Sequence, residues 1–270
     1  MGRITRSVKN ESLLRAVVIA AFVLLLAACG LAVWLKAWPR QNNTVADRAY
    51  SWRTGDDCLV YIEESGGFEP YIVLTANYGG NALLLRKYLL PDLMPFNENE
   101  KHLWGSNEYG GYYEDSTIDK YLNNEFIGTL SQTMQDAIVN SDVVITDKNT
   151  WILHKNRTKT ISRKVFLLSL MELSGPDLST RVPEGNTLTY FAGKYTRKVT
   201  YLSDGERCAY WTRTPEIWEI YNVFLIGHDK LGAEGADVSL GVRPAFCLKK
   251  STEITKRTDI VNGQTVYVVE

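Results

Sequence analysis

The sequence predicts an α+β chain, in which an N-terminal transmembrane helix precedes one domain of antiparallel strands, two helices and long irregular loops. Three observations predict it. Residues 16–35 read AVVIAAFVLLLAACGLAVWL without a charge. Strand-like runs punctuated by glycine turns then come first, and two short helical patterns follow them. The remainder is strand-like and loop-rich, and such segregation of strands from helices marks α+β rather than an alternating wound fold.

The apolar run is twenty residues long, which at the helical rise covers about 30 Å, one bilayer core. Arg3, Arg6, Lys9 and Arg15 precede it against the single Glu11, and Lys36 and Arg40 follow it. Trp34 and Trp38 stand where an aromatic belt would sit. The positive excess on the N-terminal side predicts a cytoplasmic N-terminus at 1–15, an anchor at 16–35 and an extracytoplasmic remainder. The expected localisation is the cell membrane, single-pass, with the membrane a partner through residues 16–35. An alternative is a lipoprotein, because Leu26-Ala27-Ala28-Cys29 resembles a lipobox with Cys29 as the lipidated residue. Polar, aperiodic residues at 36–55 read as a stalk, which leaves 56–270 as the extracytoplasmic domain.

Within that domain CLVYIEE at 58–64 alternates, YIVLT at 71–75 is β-branched and aromatic, and ALLLRKYLL at 82–90 is apolar up to Pro91. Gly66-Gly67 and Gly79-Gly80-Asn81 supply the turns, so an antiparallel meander is expected. In DSTIDKYLNNEF, Ser116 can cap a helix with Asp119 three residues on, a variant of the capping box. Ile118, Tyr121, Leu122 and Phe126 then share one face. In SQTMQDAIV, Ser131 caps and Met134, Ala137 and Ile138 face inward. Strand-like runs follow at 143–146, 164–169, 208–214, 218–227, 238–248 and 265–269.

Charge excludes one class of partner. Removing residues 1–35 takes away four of 30 basic and one of 31 acidic residues, leaving a balance of −4. Nothing in that balance draws in nucleic acid. Outside the apolar run, Cys58, Cys208 and Cys247 make an odd set without metal-ligand spacing, read as small buried thiols. His102, His154 and His228 are far apart, and no catalytic motif occurs, so no catalytic residue is assigned.

Two loops are richer. The stretch 96–113 combines Trp104, Tyr109 and Tyr112 with amides, a mixture suited to sugar or peptide contact. Between Thr214 and Val238 lie Trp218, Tyr221, His228 and Asp229, framed by two strand-like runs that could display them. One further residue stands out. Arg243 sits inside the apolar run GVRPAFCL, and a guanidinium is rarely buried without acceptors. It either anchors the fold or points into a ligand site.

Four stretches in order, EDSTIDKYLNNEF, KVFLLSLMEL, YWTRTP and GVRPAFCL, resemble a family of bacterial, often surface-attached proteins catalogued as a domain of unknown function. That family is similar in fold to the formylglycine-generating (sulfatase-modifying) enzymes and to C-type-lectin-like domains. The resemblance runs from about Cys58 to Leu248, with Tyr71 where the family has tryptophan. It maps recurrent framework positions onto Trp211 and Arg213 and onto Arg243 and Pro244. A planar fork of five donors suits a framework role, tying irregular carbonyls to the sheet. The resemblance implies a recognition surface on residues 215–238 in the binding branch of the fold. Its enzyme branch uses a reactive cysteine pair, sometimes with copper and calcium, and no such pair can be placed here.

The expectation is therefore a membrane-anchored binding module for a glycan, cell-wall component or protein, with no cofactor called for. A calcium site is compatible with such a fold, since its ligands would be scattered carbonyls and carboxylates. A divergent thiol- or metal-dependent enzyme, or a structural accessory of an envelope complex, are the alternatives.

Overall fold

The computed structural model describes residues 44–98, 110–150, 157–174, 182–216, 218–219 and 221–269. Among these the chain is mostly β, with 42% strand against 18% helix, and its main sheet curls into a half-barrel. The α+β expectation is corrected on that count. The two helical patterns form only α2 (Thr117–Asn124) and α3 (Gln132–Ala137), beside the still shorter α1 (Val45–Arg48) and α4 (Leu170–Ser174). These elements are too short to form a helical layer.

The expected single-pass localisation is corrected as well. Among the described residues no helix is long and apolar enough to cross a membrane. The eight residues of α2 span about 12 Å against the roughly 30 Å of a bilayer core. Residues 16–35 and Cys29 lie outside the described residues.

The main sheet runs β14-β15-β1-β2-β3-β13-β5, with β8 also pairing β13. Here β1 is Leu59–Glu64, β2 Gly67–Tyr78, β3 Asn81–Arg86, β5 Ile138–Val139, β8 Val165–Phe166, β13 Ala245–Leu248, β14 Ile254–Val261 and β15 Gln264–Val269. The expected meander is present: β1 to β3 pair antiparallel in sequence order. Val73, Leu74, Leu83, Leu84, Phe246 and Cys247 are fully buried where β2, β3 and β13 meet. β14 was not expected. In its ITKRTDIV only Ile254 is buried, and the run lacks the alternation that signals a half-buried strand. Its strand state comes from the antiparallel ladder to β15.

Three small sheets complete the fold. β4 (Met94–Pro95) pairs β12 (Ser239–Leu240), and β6 (Ser141–Thr146) pairs β7 (Thr158–Arg163). β9 (Tyr210–Pro215), β10 (Asn222–Ile226) and β11 (Leu231–Gly235) form the third, in the order β11-β10-β9.

Local signals explain the helix starts. The Ser116 and Ser131 hydroxyls accept the third-residue N–H of α2 and α3 at 3.2 and 3.3 Å, satisfying donors that a helix start leaves free. Asp119 does not complete a capping box. Its carboxylate accepts the Asp115 N–H and the Arg163 fork instead.

The stalk is corrected too. Val45 is fully buried and its N–H donates to Thr252 at 2.8 Å. Residues 44–55 therefore belong to the domain. Their polar, aperiodic sequence hides this because their bonds go to sequence-distant partners.

Candidate functional site

The aromatic residues expected to form a binding face have different surroundings. Trp104 and Tyr109 lie outside the described residues. Tyr112 is buried, donates to the Glu114 carboxylate at 2.7 Å, and has Lys148 and Lys159 each 5.5 Å from its ring. Burial pushes its phenol up to about 12. Tyr221 is buried as well, and its ring is pressed between two glycines. A Cβ on Gly110 would lie 2.7 Å from the ring, and one on Gly235 would lie 2.9 Å away. The two expected loops thus meet at this ring, in packing rather than display. Trp218 is 70% exposed, and His228 and Asp229 are exposed in the turn between β10 and β11.

The late arginines lie deep in the fold. Arg213 is fully buried on β9 and pairs with Glu172, also fully buried, at 2.7 and 3.0 Å. It donates further to the carbonyls of Val144, Leu167 and Glu184. Burial alone would lower its pKa, but the charge and hydrogen bonds of Glu172 together with the Tyr78 and Glu184 charges outweigh that and raise it. Glu184 is a second buried carboxylate, bonded to Thr146 and to the Thr214 hydroxyl. Burial pushes its pKa up against the opposing pull of Arg213 and those bonds. Trp211 is buried and donates its indole N–H to Met94 at 3.0 Å. Arg243, 3% exposed, donates to the carbonyls of Arg86, Lys198 and Lys87 at 2.9, 3.3 and 3.2 Å. Pro244 places its carbonyl against the Arg86 N–H at 2.9 Å.

Those carbonyls lead to a cleft that the sequence reading missed. It measures about 240 Å³ and lies among Trp52, Asp56, Asp57, Lys87, Tyr190 and Arg197. One wall is the turn from Ser51 to Cys58. Arg48 holds Asp56 with both guanidinium nitrogens, and Asp56 in turn accepts the Cys58 N–H at 2.9 Å. Burial pulls the Asp56 carboxyl up, but the Arg48 and Cys58 bonds outweigh it and the net shift is downward. Cys58 has φ +56 and its sulfur accepts the Trp52 N–H at 2.9 Å. This places Trp52 edge-on to Tyr190, with ring centroids 6.0 Å apart.

Arg197 packs against that wall. Its Nη1 donates to the Tyr190 carbonyl at 2.8 Å. Its guanidinium carbon lies 4.5 Å from the Trp52 ring centroid and 4.9 Å from that of Tyr190. Lys87 completes the site, its carbonyl gripped by Arg243 and, at 2.6 Å, by the Thr200 hydroxyl. A guanidinium packed against two rings and bonded to a carbonyl is already ordered, so a ligand would lose little side-chain entropy on meeting it. The one sequence signal for this cleft was a tryptophan between polar residues at Ser51-Trp52-Arg53, which a stalk does not require.

Cys58 and Cys247 are buried and Cys208 is half-buried, all unpaired. Burial pushes each thiol up, Cys247 to about 12, and only the thiolate is a strong nucleophile. Among the described residues no three His, Cys, Asp or Glu side chains gather as a metal would require.

No curated protein and no solved structure matches the chain significantly. One family model does, described as "Domain of unknown function (DUF6273)", over residues 79–250. Lys87, Tyr190, Arg197, Arg213 and Arg243 fall inside the matched stretch, and the Ser51–Cys58 wall of the cleft precedes it. Since the match covers more than half of the 270 residues, the chain belongs to the DUF6273 family of domains of unknown function.

Proposed function

We propose that this chain is a binding module, and that its ligand, a glycan, a cell-wall component or a protein, seats in the cleft lined by Trp52, Tyr190 and Arg197. The observation that carries the reading is the Arg197 guanidinium, bonded to the Tyr190 carbonyl and packed against the edge-to-face pair of Trp52 and Tyr190. Rigid rings beside charged donors and acceptors are the usual lining of a recognition site. The same proposal takes in the fold likeness to formylglycine-generating enzymes and C-type-lectin-like domains. Irregular backbone tied by the buried guanidinia of Arg213 and Arg243 supports it, because such backbone needs many donors. The thiol-enzyme alternative is weakened by three thiols whose ionisation burial opposes.

The test is a binding screen of the full chain against glycan and wall-fragment arrays, repeated with Tyr190→Ala and Trp52→Phe. A ligand whose binding falls in the variants while they melt as folded proteins supports the reading. Ligands that bind all three proteins equally would place the site elsewhere.

A further inference from the structure

The geometry points to an acidic sugar as the occupant of this cleft, a single ring whose carboxylate meets Arg197. This inference rests on the cleft being a binding site and names what it takes. Arg197 spends one nitrogen, Nη1, on the Tyr190 carbonyl. No described residue accepts from its Nε or Nη2, so one edge of the fork remains open. That edge presents two parallel N–H groups, the arrangement that receives a carboxylate through two bonds. Lys87 adds a second positive charge to the same cleft.

A second observation is independent of the arginine. The Trp52 indole nitrogen is buried and has no hydrogen-bond partner among the described residues. An unmade bond on a buried donor carries its full desolvation penalty, at a residue that lines the cleft. The cleft is thus lined by two cationic donors, Arg197 and Lys87.

The acceptors present are carboxylates, and they divide. Arg48 neutralises Asp56, whereas Asp57 is exposed at the cleft and has no salt-bridge partner among the described residues. A ligand with one acidic group and several hydroxyls fits this set, with hydroxyls donating to Asp57 and the carboxylate turned to Arg197. A phosphate would bring a larger negative charge next to the same Asp57. Size agrees with a single ring: about 240 Å³ is below the roughly 300–1,000 Å³ of sites for drug-sized molecules. A peptide carboxylate fits less well. Peptides often bind by adding a strand to a free sheet edge, and β1 beside the cleft is paired on both sides, by β15 and β2.

The experiment titrates the full chain with methyl glucuronoside, methyl glucoside, glucose 6-phosphate and an acetylated dipeptide with a free carboxylate. Ligand-observed NMR reads the binding, and melting curves check the fold of each variant. The uronoside is expected to bind at least about tenfold more tightly than the neutral glucoside, the scale of one charge-assisted contact. Arg197→Ala should abolish that preference. Arg197→Lys, which keeps the charge and perturbs packing less, should lose most of it because an ammonium lacks the fork. Equal binding of the two sugars, tighter binding of the phosphate or the dipeptide, or no binding of any probe would each overturn the inference. If an array ligand depends on Tyr190 but ignores Arg197→Lys, this inference fails and the cleft reading stands. If no ligand depends on Tyr190, both fail.

Discussion

Arg243 Nη2 donates to the carbonyl of Lys87 at 3.2 Å, across 156 residues of sequence, and its Nη1 reaches the carbonyl of Lys198 at 3.3 Å. Lys87 lines the cleft, and Lys198 follows the cleft residue Arg197. One buried guanidinium therefore clamps both backbone segments that carry the cations of the site. Among the described residues it pairs with no carboxylate, so main-chain oxygens take most of its donors. This is how a residue outside the cleft sets the cleft's shape.

Arg243→Met should keep most of the buried stem and strand those carbonyls. A hydrogen bond to a charged group is worth about 1.5–3 kcal/mol, which for a domain of this size lowers the melting temperature by roughly 4–12 °C. Arg243→Lys should recover only part, since one ammonium cannot reach carbonyls on three sides. Thermal melting followed by circular dichroism checks both, and a wild-type curve for Arg243→Met would refute the clamp.

The Arg213–Glu172 pair should be costlier to break from one side than to replace whole. Arg213→Met leaves an unpaired carboxylate in the interior, a loss of about 3–5 kcal/mol. Arg213→Met with Glu172→Leu removes the stranded charge and should recover part of it. The carbonyls of Val144, Leu167 and Glu184 stay unpaired, so recovery is incomplete. Urea unfolding of both single variants and the double variant measures the coupling, and simple additivity would refute it.

Glu184 predicts a loss of stability as pH rises. Its folded pKa lies above the ordinary 4.5, so between those two values the folded chain holds a proton that the unfolded chain has released. Its contribution is complete below about pH 4.5 and fades as pH climbs through the folded pKa. Glu184→Gln stays neutral throughout. The wild-type stability minus that of Glu184→Gln should therefore fall with rising pH above about 4.5. Urea titrations at a series of pH values read it, and a difference that is flat or rises contradicts the assignment.

Gly235→Ala should destabilise, because the new methyl would lie 2.9 Å from the Tyr221 ring. Overpacking of this kind costs typically about 1–3 kcal/mol. His228→Ala, in the exposed turn on the same small sheet, should change stability by no more than about 0.5 kcal/mol. Equal unfolding free energies for the two variants would show that the ring yields.

Some of this molecule was legible before any coordinates. The alternation of CLVYIEE and the glycine pairs after it are local signals, and β1 to β3 follow them. Ser116 and Ser131 each sit three residues before the N–H that they cap, again within one turn. Arg243 stood out because a charge in an apolar run must find partners, and Arg213 through the family resemblance. Where those partners lie was not legible, since Arg213 reaches Glu172 and Arg243 reaches Lys87 only across long stretches of chain.

The sequence by itself therefore determined the elements whose signal lies within a few residues: the meander, the helix caps and the need of Arg243 for acceptors. Tertiary structure alone decided that residues 44–55 belong to the domain, that polar β14 is a strand, and that Tyr221 packs between glycines. It also brought Trp52 against Tyr190 and Arg197, more than a hundred residues further along the chain. The physical reason is common to all but β14: each state is held by hydrogen bonds or packing to partners well separated in the chain, and such contacts leave no periodic trace in the residues that make them. β14 is held by its hairpin neighbour β15 across Asn262-Gly263, and its polar composition is what hides it.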